Sequence, residues 1–318
     1  GTPILTRWLE ITNLAGHPVG LSECAVWSGV LHRTKRWQSY LPAKDAALWS
    51  AGYFEDTHWG DEGSFRWHIL PNAGYRVDGR YRRERYRHPM FVLRNHATGE
   101  HFIGQLAWSG GYSFDFDLDA DIGTGDQSAC LCFRVGPDAP APQRVIAPGE
   151  TIRTPEMHLG LMQADLDAAI QAMHDHLRQT VFPRQPDELA GLVLSGIGPE
   201  QNITYESVYH EMDTAAALGA EVFFIDAGWY TPLVPGASGV PEWYATVGDW
   251  NVDLTRFPQG LGPIRDRAHE KGMRFGLWID AERIGRQSRI AQAHPEWVAV
   301  AYDGQQRLGD LLDLTAPG

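Results

Sequence analysis

The spacing of hydrophobic and polar residues changes once along this chain, near residue 160. Before that point, short runs alternate between apolar and polar positions. Leu5 to Thr12 (LTRWLEIT) alternates, Asn13 to Gly16 reads as a turn, and Pro18 to Leu21 resumes the alternation. Period-two runs broken by Gly, Pro, Asn and Asp predict half-buried strands, because successive strand side chains point to opposite faces. His88 to Arg94 (HPMFVLR) reads as a further strand, closed by Asn95 to Gly99, with Phe102 to Trp108 as its hairpin partner. Ala147-Pro148-Gly149-Glu150 predicts a turn before a last strand from Thr151 to Leu161. The spacing of these runs predicts a large sandwich of sheets.

Beyond it the period becomes helical. Leu166, Ile170, Met173 and Leu177 recur at i, i+4, i+7 and i+11, with Asp165 placed to cap the helix and Pro183 and Pro186 placed to end it. Arg184 to Glu188 reads as a linker. From residue 190 the order is strand, helix, strand, helix, strand. Leu192 to Leu194 predicts the first strand. Tyr205, Val208, Met212, Ala215 and Leu218 form one helical face, stopped by Gly219. Val222 to Ile225 is a continuous apolar run, as a parallel strand covered on both faces requires. Pro263 opens the next helix, Gly272 closes it, and Arg274 to Ile279 forms the third strand. This alternation predicts a parallel sheet, either a barrel or a doubly wound fold. No Gly-x-Gly-x-x-Gly follows the first strand, so a dinucleotide fold lacks its fingerprint.

Composition narrows the function. The chain has 318 residues, 43% of them hydrophobic, enough for two domains. Its formal net charge of −13 excludes the basic stripe with which a nucleic-acid binder neutralises phosphates. The one basic cluster, Arg80 to Arg87 (RYRRERYR), reads as a solvated strand or hairpin edge. Three cysteines make no disulfide framework. Cys24 stands alone, while Cys130 and Cys132 share one face of a strand, so buried free thiols are expected and no metal site. No run of 18 apolar residues predicts a membrane helix. The lack of a signal-peptide pattern and the few cysteines favour the cytoplasm. Gly1 stands where an initiator Met is usual, so the chain reads as a piece of something longer. Asn202-Ile203-Thr204 is a glycosylation sequon of a kind common by chance.

The chemistry gathers where the second and third of these strands end. Asp226-Ala227-Gly228-Trp229 follows Ile225, and Asp280-Ala281-Glu282-Arg283 follows Ile279. Gly248-Asp249-Trp250 lies in the long loop between them. In a (β/α)8 barrel the C-terminal strand ends build the active site. Asp226, Asp249, Glu282, Arg283, Trp229 and Trp250 converging there would suit a polar, uncharged ligand. Carboxylates and guanidinium bond hydroxyls, and an indole packs on the C–H face of a sugar ring. Singly, each residue has a plainer reading: a strand-end Asp as a cap, a loop Trp as a packing anchor, and Glu282–Arg283 as a surface ion pair.

These segments resemble the signature run of glycoside hydrolase family 36, the melibiase-type α-galactosidases. Phe257-Pro258-Gln259-Gly260-Leu261, Phe275 to Arg283, His294-Pro295-Glu296-Trp297 and Leu312 to Pro317 continue it in the same order. The resemblance implies a β-supersandwich over 1–162, a connecting helix and linker over 163–189, and about three βα units of a (β/α)8 catalytic barrel over 190–318. It implies retaining cleavage of terminal α-D-galactosides from oligosaccharides without a cofactor or metal. Asp226 matches the first of two adjacent aspartates that hold galactose hydroxyls, and Trp250 matches a tryptophan lining the sugar subsite. Arg283 matches an arginine near the nucleophile and the sugar. Asp249, Trp229 and Glu282 match positions expected to shape the pocket. An α-galactoside oligosaccharide is the partner implied, with neither nucleic acid nor membrane, and there is room for a homo-oligomer in the full-length enzyme.

The departures are specific. Ala227 stands where the family has its second aspartate, Ser195 to Gly198 stands where it has a tryptophan, and Asp280-Ala281 replaces a Glu-Pro. Losing one buried hydroxyl acceptor should cost a few kcal/mol of discrimination, so altered sugar specificity is expected. The family's nucleophile lies in a Lys-Trp-Asp motif on the fourth strand, with its acid/base further on. No Lys-Trp-Asp occurs in this sequence. Both catalytic carboxylates are therefore expected beyond Gly318, and the chain as given is expected to be inactive. A raffinose- or stachyose-synthase-like transglycosylase and a non-catalytic carbohydrate-binding pseudo-enzyme are the alternatives.

Overall fold

The structure, a computed structural model, describes residues 1–39, 47–56, 60, 62–79, 86–119, 128–198, 203–230, 234–235, 241–300 and 307–317. Arg80 to Arg85 of the basic cluster and Asn202 of the sequon lie outside the described residues. The chain divides into two compact units, Gly1–Arg184 and Gln185–Gly318.

The first unit is built from antiparallel sheets. One has six strands in the order Ile4–Arg7, Met157–Met162, His101–Leu106, Met90–Asn95, Trp49–Phe54, Phe65–Ile69. The other has four, in the order Trp27–Thr34, Ala129–Pro137, Tyr112–Asp119, Gly74–Gly79. The expected hairpin is present, with Val92 opposite Ile103. Trp49, Phe91 and Leu93 of the first sheet share one buried cluster with Phe114, Phe116 and Leu131 of the second. The Phe91 ring meets Phe114 and Phe116 edge-on, each at 5.0 Å, the geometry aromatic quadrupoles favour. Facing sheets around such a core make the sandwich.

Two predicted strands are each divided. Ile4–Arg7 pairs with Met157–Met162, whereas Glu10–Thr12 pairs with Thr151–Arg153 in a separate small sheet. The break falls at Pro155, which has no N–H for a ladder. Opposite it, Leu9 and Thr154 bond each other instead: Leu9 N–H donates to Thr154 Oγ1 at 2.9 Å, and Thr154 N–H to the Leu9 carbonyl at 2.9 Å. Of the cysteines expected to be buried, Cys130 is buried, but Cys24, in the loop before Trp27–Thr34, and Cys132, just past a bulge in its strand after Leu131, are only half-buried.

The helix Leu166–His176 starts at Asp165, whose Oδ1 accepts from Ala168 N–H at 2.8 Å. Its predicted apolar face is the one that packs: Met173, Leu166 and Ile170 join Ile4, Val92 and Ile103 on the six-stranded sheet. At its end, His176 Nε2 lies 3.0 Å from Nδ1 of the buried His158, with Thr2 and Thr6 hydroxyls against the pair. Burial, reinforced by the charge of His176, holds His158 below the ordinary imidazole range, against the pull of Glu156. Burial likewise lowers His176.

The second unit holds a three-stranded parallel sheet in chain order: Leu194–Ile197, Val222–Ile225, Arg274–Leu277. Between the strands run helices Tyr205–Ala217 and Gly262–Glu270. Thr204 caps the first of these in a reciprocal capping box with Ser207. Val208 and Met212 of one helix and Ile264 and Ala268 of the other share a buried cluster with Phe223 and Ile225. Both helices therefore cover the same face, as in a (β/α) barrel; a doubly wound sheet carries helices on both. The first strand begins two residues later than its apolar run predicts. A Cβ on Gly196 would meet the Phe224 ring at 2.4 Å, so the neighbouring strand's aromatic ring covers the glycine. A short antiparallel pair, Val298–Val300 with Arg307–Leu312, follows. No helix among the described residues is long and apolar enough to cross a membrane.

Candidate functional site

Asp226 is the first residue after the central strand. Its N–H donates to the Ile197 carbonyl at 3.1 Å, continuing the parallel ladder by one bond. Its half-buried carboxylate turns toward the end of the first strand: a Cβ on Gly198 would lie 3.9 Å from Oδ2. Oδ1 accepts from Ala227 N–H at 2.7 Å. The Ala227 methyl is only 1% exposed, so the position of the family's second acid is filled by a packed alkyl group.

The turn that follows is locked from behind. Gly228 adopts φ +90°, and the Arg256 guanidinium donates to its carbonyl. Asp253 receives Arg256 Nε at 2.8 Å and donates its own N–H to the Trp229 carbonyl at 3.1 Å. Burial pushes the Asp253 carboxyl upward, but Arg256 and the Thr255 N–H outweigh it and hold the group below its ordinary range. Trp229 is thereby buried, and its Nε1 donates to the Trp278 carbonyl at 3.0 Å.

Trp250 stacks on Trp229, with ring centroids 6.1 Å apart and planes 25° apart. Tyr230 meets Trp250 edge-on at 4.9 Å. Asp249, beside Trp250, directs its carboxylate elsewhere. Oδ2 accepts from Arg289 N–H at 2.7 Å and Oδ1 from Ile290 N–H at 3.2 Å, at the start of the short helix Arg289–Ala293. The rest of the loop is tied to the same segment: Gly285 N–H donates to Val247 at 2.8 Å and Gln287 N–H to Ala245 at 2.9 Å. Only glycine permits this approach at 285, where a Cβ would lie 2.3 Å from the Ala245 carbonyl oxygen and 2.6 Å from that of Tyr244.

The third strand ends at Leu277. Trp278 N–H donates to Ile225 at 2.9 Å, which sets Trp278 beside the strand end that carries Asp226. Trp278 meets Trp250 at 6.2 Å and Trp243 at 5.1 Å, both at steep angles. The Arg283 guanidinium lies 5.9 Å from the Trp243 ring centre, and its Nε pairs with Asp280 Oδ2 at 3.1 Å rather than with Glu282. Glu282 is exposed, and its carbonyl accepts from Leu312 N–H at 2.7 Å.

Of the six residues singled out in the sequence, the structure stacks Trp229 with Trp250 and connects Arg283 to them through Trp243 and Trp278. Asp226 stands at the adjoining strand end. The Asp249 carboxylate faces backbone donors, and Glu282 faces solvent. Trp243 and the Asp253–Arg256 pair carry no role in the sequence reading, and Trp278 and Asp280 stand in its motif segments without one. Asp280 and Arg283 carry the i, i+3 charge spacing that signals a pair, as do Asp253 and Arg256; Trp243 carries no local signal.

In the first unit a cleft of about 330 Å³ runs between Met90, Ile103, Ile170 and Met173, with His88 and His174 at its side. No carboxylate lines it, so it offers no acid–base pair or charged hydroxyl acceptor. Among the described residues no group of three or more His, Cys, Asp or Glu is placed to hold a metal.

The melibiase family model matches residues 151–317. α-Galactosidase 1 of Pediococcus pentosaceus is 26% identical over 302 residues, covering 93% of this chain and 38% of that protein. The crystal structure of the Lactobacillus brevis α-galactosidase aligns with a TM-score of 0.74 at 21% identity, over 99% of this chain and 40% of that one. A family 36 α-galactosidase from Geobacillus stearothermophilus, solved in complex with stachyose, aligns with a TM-score of 0.75 at 19% identity, over 98% and 41%. These structural likenesses share the fold of a β-rich first part followed by barrel strands. The chain spans about two fifths of the length of these relatives.

Proposed function

The chain belongs to the melibiase family, and on that premise we propose that it carries part of the sugar subsite of a retaining α-galactosidase. The observation that supports this most is the mouth at the ends of the parallel strands. There Asp226 ends the central strand with its half-buried carboxylate toward Gly198, and Trp278, which meets the Trp229–Trp250 stack, bonds the neighbouring Ile225 carbonyl. Asp226 accepts sugar hydroxyls, Trp250 packs on the apolar face of the ring, and Arg283, oriented by Asp280, adds a donor. A terminal α-galactosyl group of an oligosaccharide is the ligand, a reading supported by relatives named α-galactosidases and by solved complexes of such relatives with stachyose and raffinose.

Binding and turnover separate in this reading. Retaining hydrolysis takes two carboxyl groups about 5–5.5 Å apart. The sequence has no Lys-Trp-Asp, Asp249 serves backbone donors, and Glu282 lies in solvent. The chain therefore binds galactosides without hydrolysing them. Titrating it with galactose while following tryptophan fluorescence checks the first half. Asp226→Asn should weaken binding at least ~10-fold with an unchanged circular dichroism spectrum, since hydrogen bonds to charged groups contribute about 1.5–3 kcal/mol. Release of nitrophenol from a nitrophenyl α-galactoside, abolished by mutating Asp226 or Glu282, would overturn the second half.

A further inference from the structure

The aromatic side chains at the strand ends form a continuous file. Trp229 to Trp250 is 6.1 Å, Trp250 to Trp278 6.2 Å, Trp278 to Trp243 5.1 Å and Trp243 to Tyr244 5.8 Å between ring centres. Exposure rises along it. Trp229 is 4% exposed, Trp250, Trp278 and Trp243 are half-buried, and Tyr244 is 41% exposed. Trp250, Trp278 and Trp243 pack against the buried core of the unit, and the file runs on from them to the exposed Tyr244. Three of the five residues are also braced from outside the file. Trp229 is fixed by its Nε1 bond, Trp250 by Tyr230, and Trp243 by the Arg283 guanidinium and by the Tyr230 hydroxyl donating to its carbonyl at 3.4 Å. A monosaccharide needs only the inner part of such a path.

We infer that Trp243 and Tyr244 form a further sugar subsite, which takes the residue next to the terminal galactosyl group, so that the site selects an oligosaccharide over a free hexose. The inference rests on the sugar-site reading above and extends it outward. The rings offer stacking area, and their stepwise spacing lets successive sugar rings each meet an aromatic face or edge. Arg283 and Asp280 supply polar partners between the inner and outer ends. Trp243 is a specificity-determining residue in this scheme.

The test is a calorimetric titration of the whole chain with galactose, raffinose and stachyose, repeated for Trp243→Ala, Trp243→Phe and Tyr244→Ala. Wild type should bind the two oligosaccharides more tightly than galactose. Trp243→Ala should lose about 10-fold in oligosaccharide affinity, equivalent to about 1.4 kcal/mol, with a smaller loss for galactose, whose donor Arg283 packs on the same ring. Trp243→Phe should recover most of that loss, and the exposed Tyr244 should show a smaller loss of the same kind. Equal loss for galactose and oligosaccharides in Trp243→Ala, or no loss in any variant, overturns the inference and leaves the sugar-site reading standing. Failure of wild type to bind any of the three sugars overturns both.

Discussion

Aromatic residues crowd both units of this chain, yet they serve different ends. In the first unit Trp49, Phe91, Tyr112, Phe114 and Phe116 are all fully buried between two sheets. In the second, Trp243, Trp250 and Trp278 gather past the strand ends and keep part of their surface in water. The first set follows the alternation of its strands, so its burial is dictated by the pleat. The second lies where strand periodicity has stopped, and loops hold it in place. The two sets differ in their position relative to the end of regular structure, not in their chemistry, and on the proposed sugar-site reading the second set is the one that meets the ligand.

That contrast can be broken most directly at Phe91. Phe91→Ala removes the ring that Phe114 and Phe116 both meet, and should cost about 3–5 kcal/mol. Urea denaturation should register the loss, while the galactose affinity of the folded fraction stays at the wild-type value. A sugar affinity that falls with it would mean the two aromatic sets are energetically one.

A smaller effect is expected at Asp249. Asp249→Ala leaves the Arg289 and Ile290 N–H groups without their acceptor and should cost roughly 1–3 kcal/mol. The loop that carries Trp250 should loosen, so galactose affinity falls together with the melting temperature. An unchanged affinity would show that the loop is held by its backbone bonds alone.

The smallest effect sharpens the comparison through pH. His158 and His176 in the first unit take up a proton less readily when folded than an ordinary imidazole. Below about pH 6.5 the unfolded chain therefore binds more protons than the folded one, and stability falls as the pH falls. Asp253 in the second unit is depressed in the folded state, so its contribution is present above the ordinary carboxyl value and lost only as pH drops through its lower folded one. Hydrogen exchange at pH 5.5 and pH 7 should show acid loosening at Ile4–Arg7 and Met157–Met162, with Val222–Ile225 unaffected. Equal loosening in both segments would remove the histidine pair as its cause.

The parts legible in the sequence were those that local periodicity encodes. The helix at Leu166, its Asp165 cap, the hairpin at 90–106 and the central strand Val222–Ile225 all carry their own pattern. The first parallel strand was misplaced because Ser195 and Gly196 are not apolar; their cover comes from Phe224, a ring on the neighbouring strand. The stretches 4–12 and 151–162 stay paired with each other but change register across Pro155, and only the pairing reveals that. At the site, Asp226 and Trp229 follow a strand end that the pattern marks, and Trp250 was found only through its motif in the loop beyond. The partners of Asp249 lie 40 and 41 residues away, and nothing near Asp249 announces them.

Gly285 gives the outer end of the aromatic file an unusual dependence. The backbone of Tyr244 and Ala245 rests on it with no side chain between. A single added methyl at 285 would lift that stretch of main chain and carry Trp243 with it, while leaving every ring and charge in the sequence as it was. On the proposed reading, ligand-length preference depends on the thickness of this spacer as well as on the residues that touch the ligand.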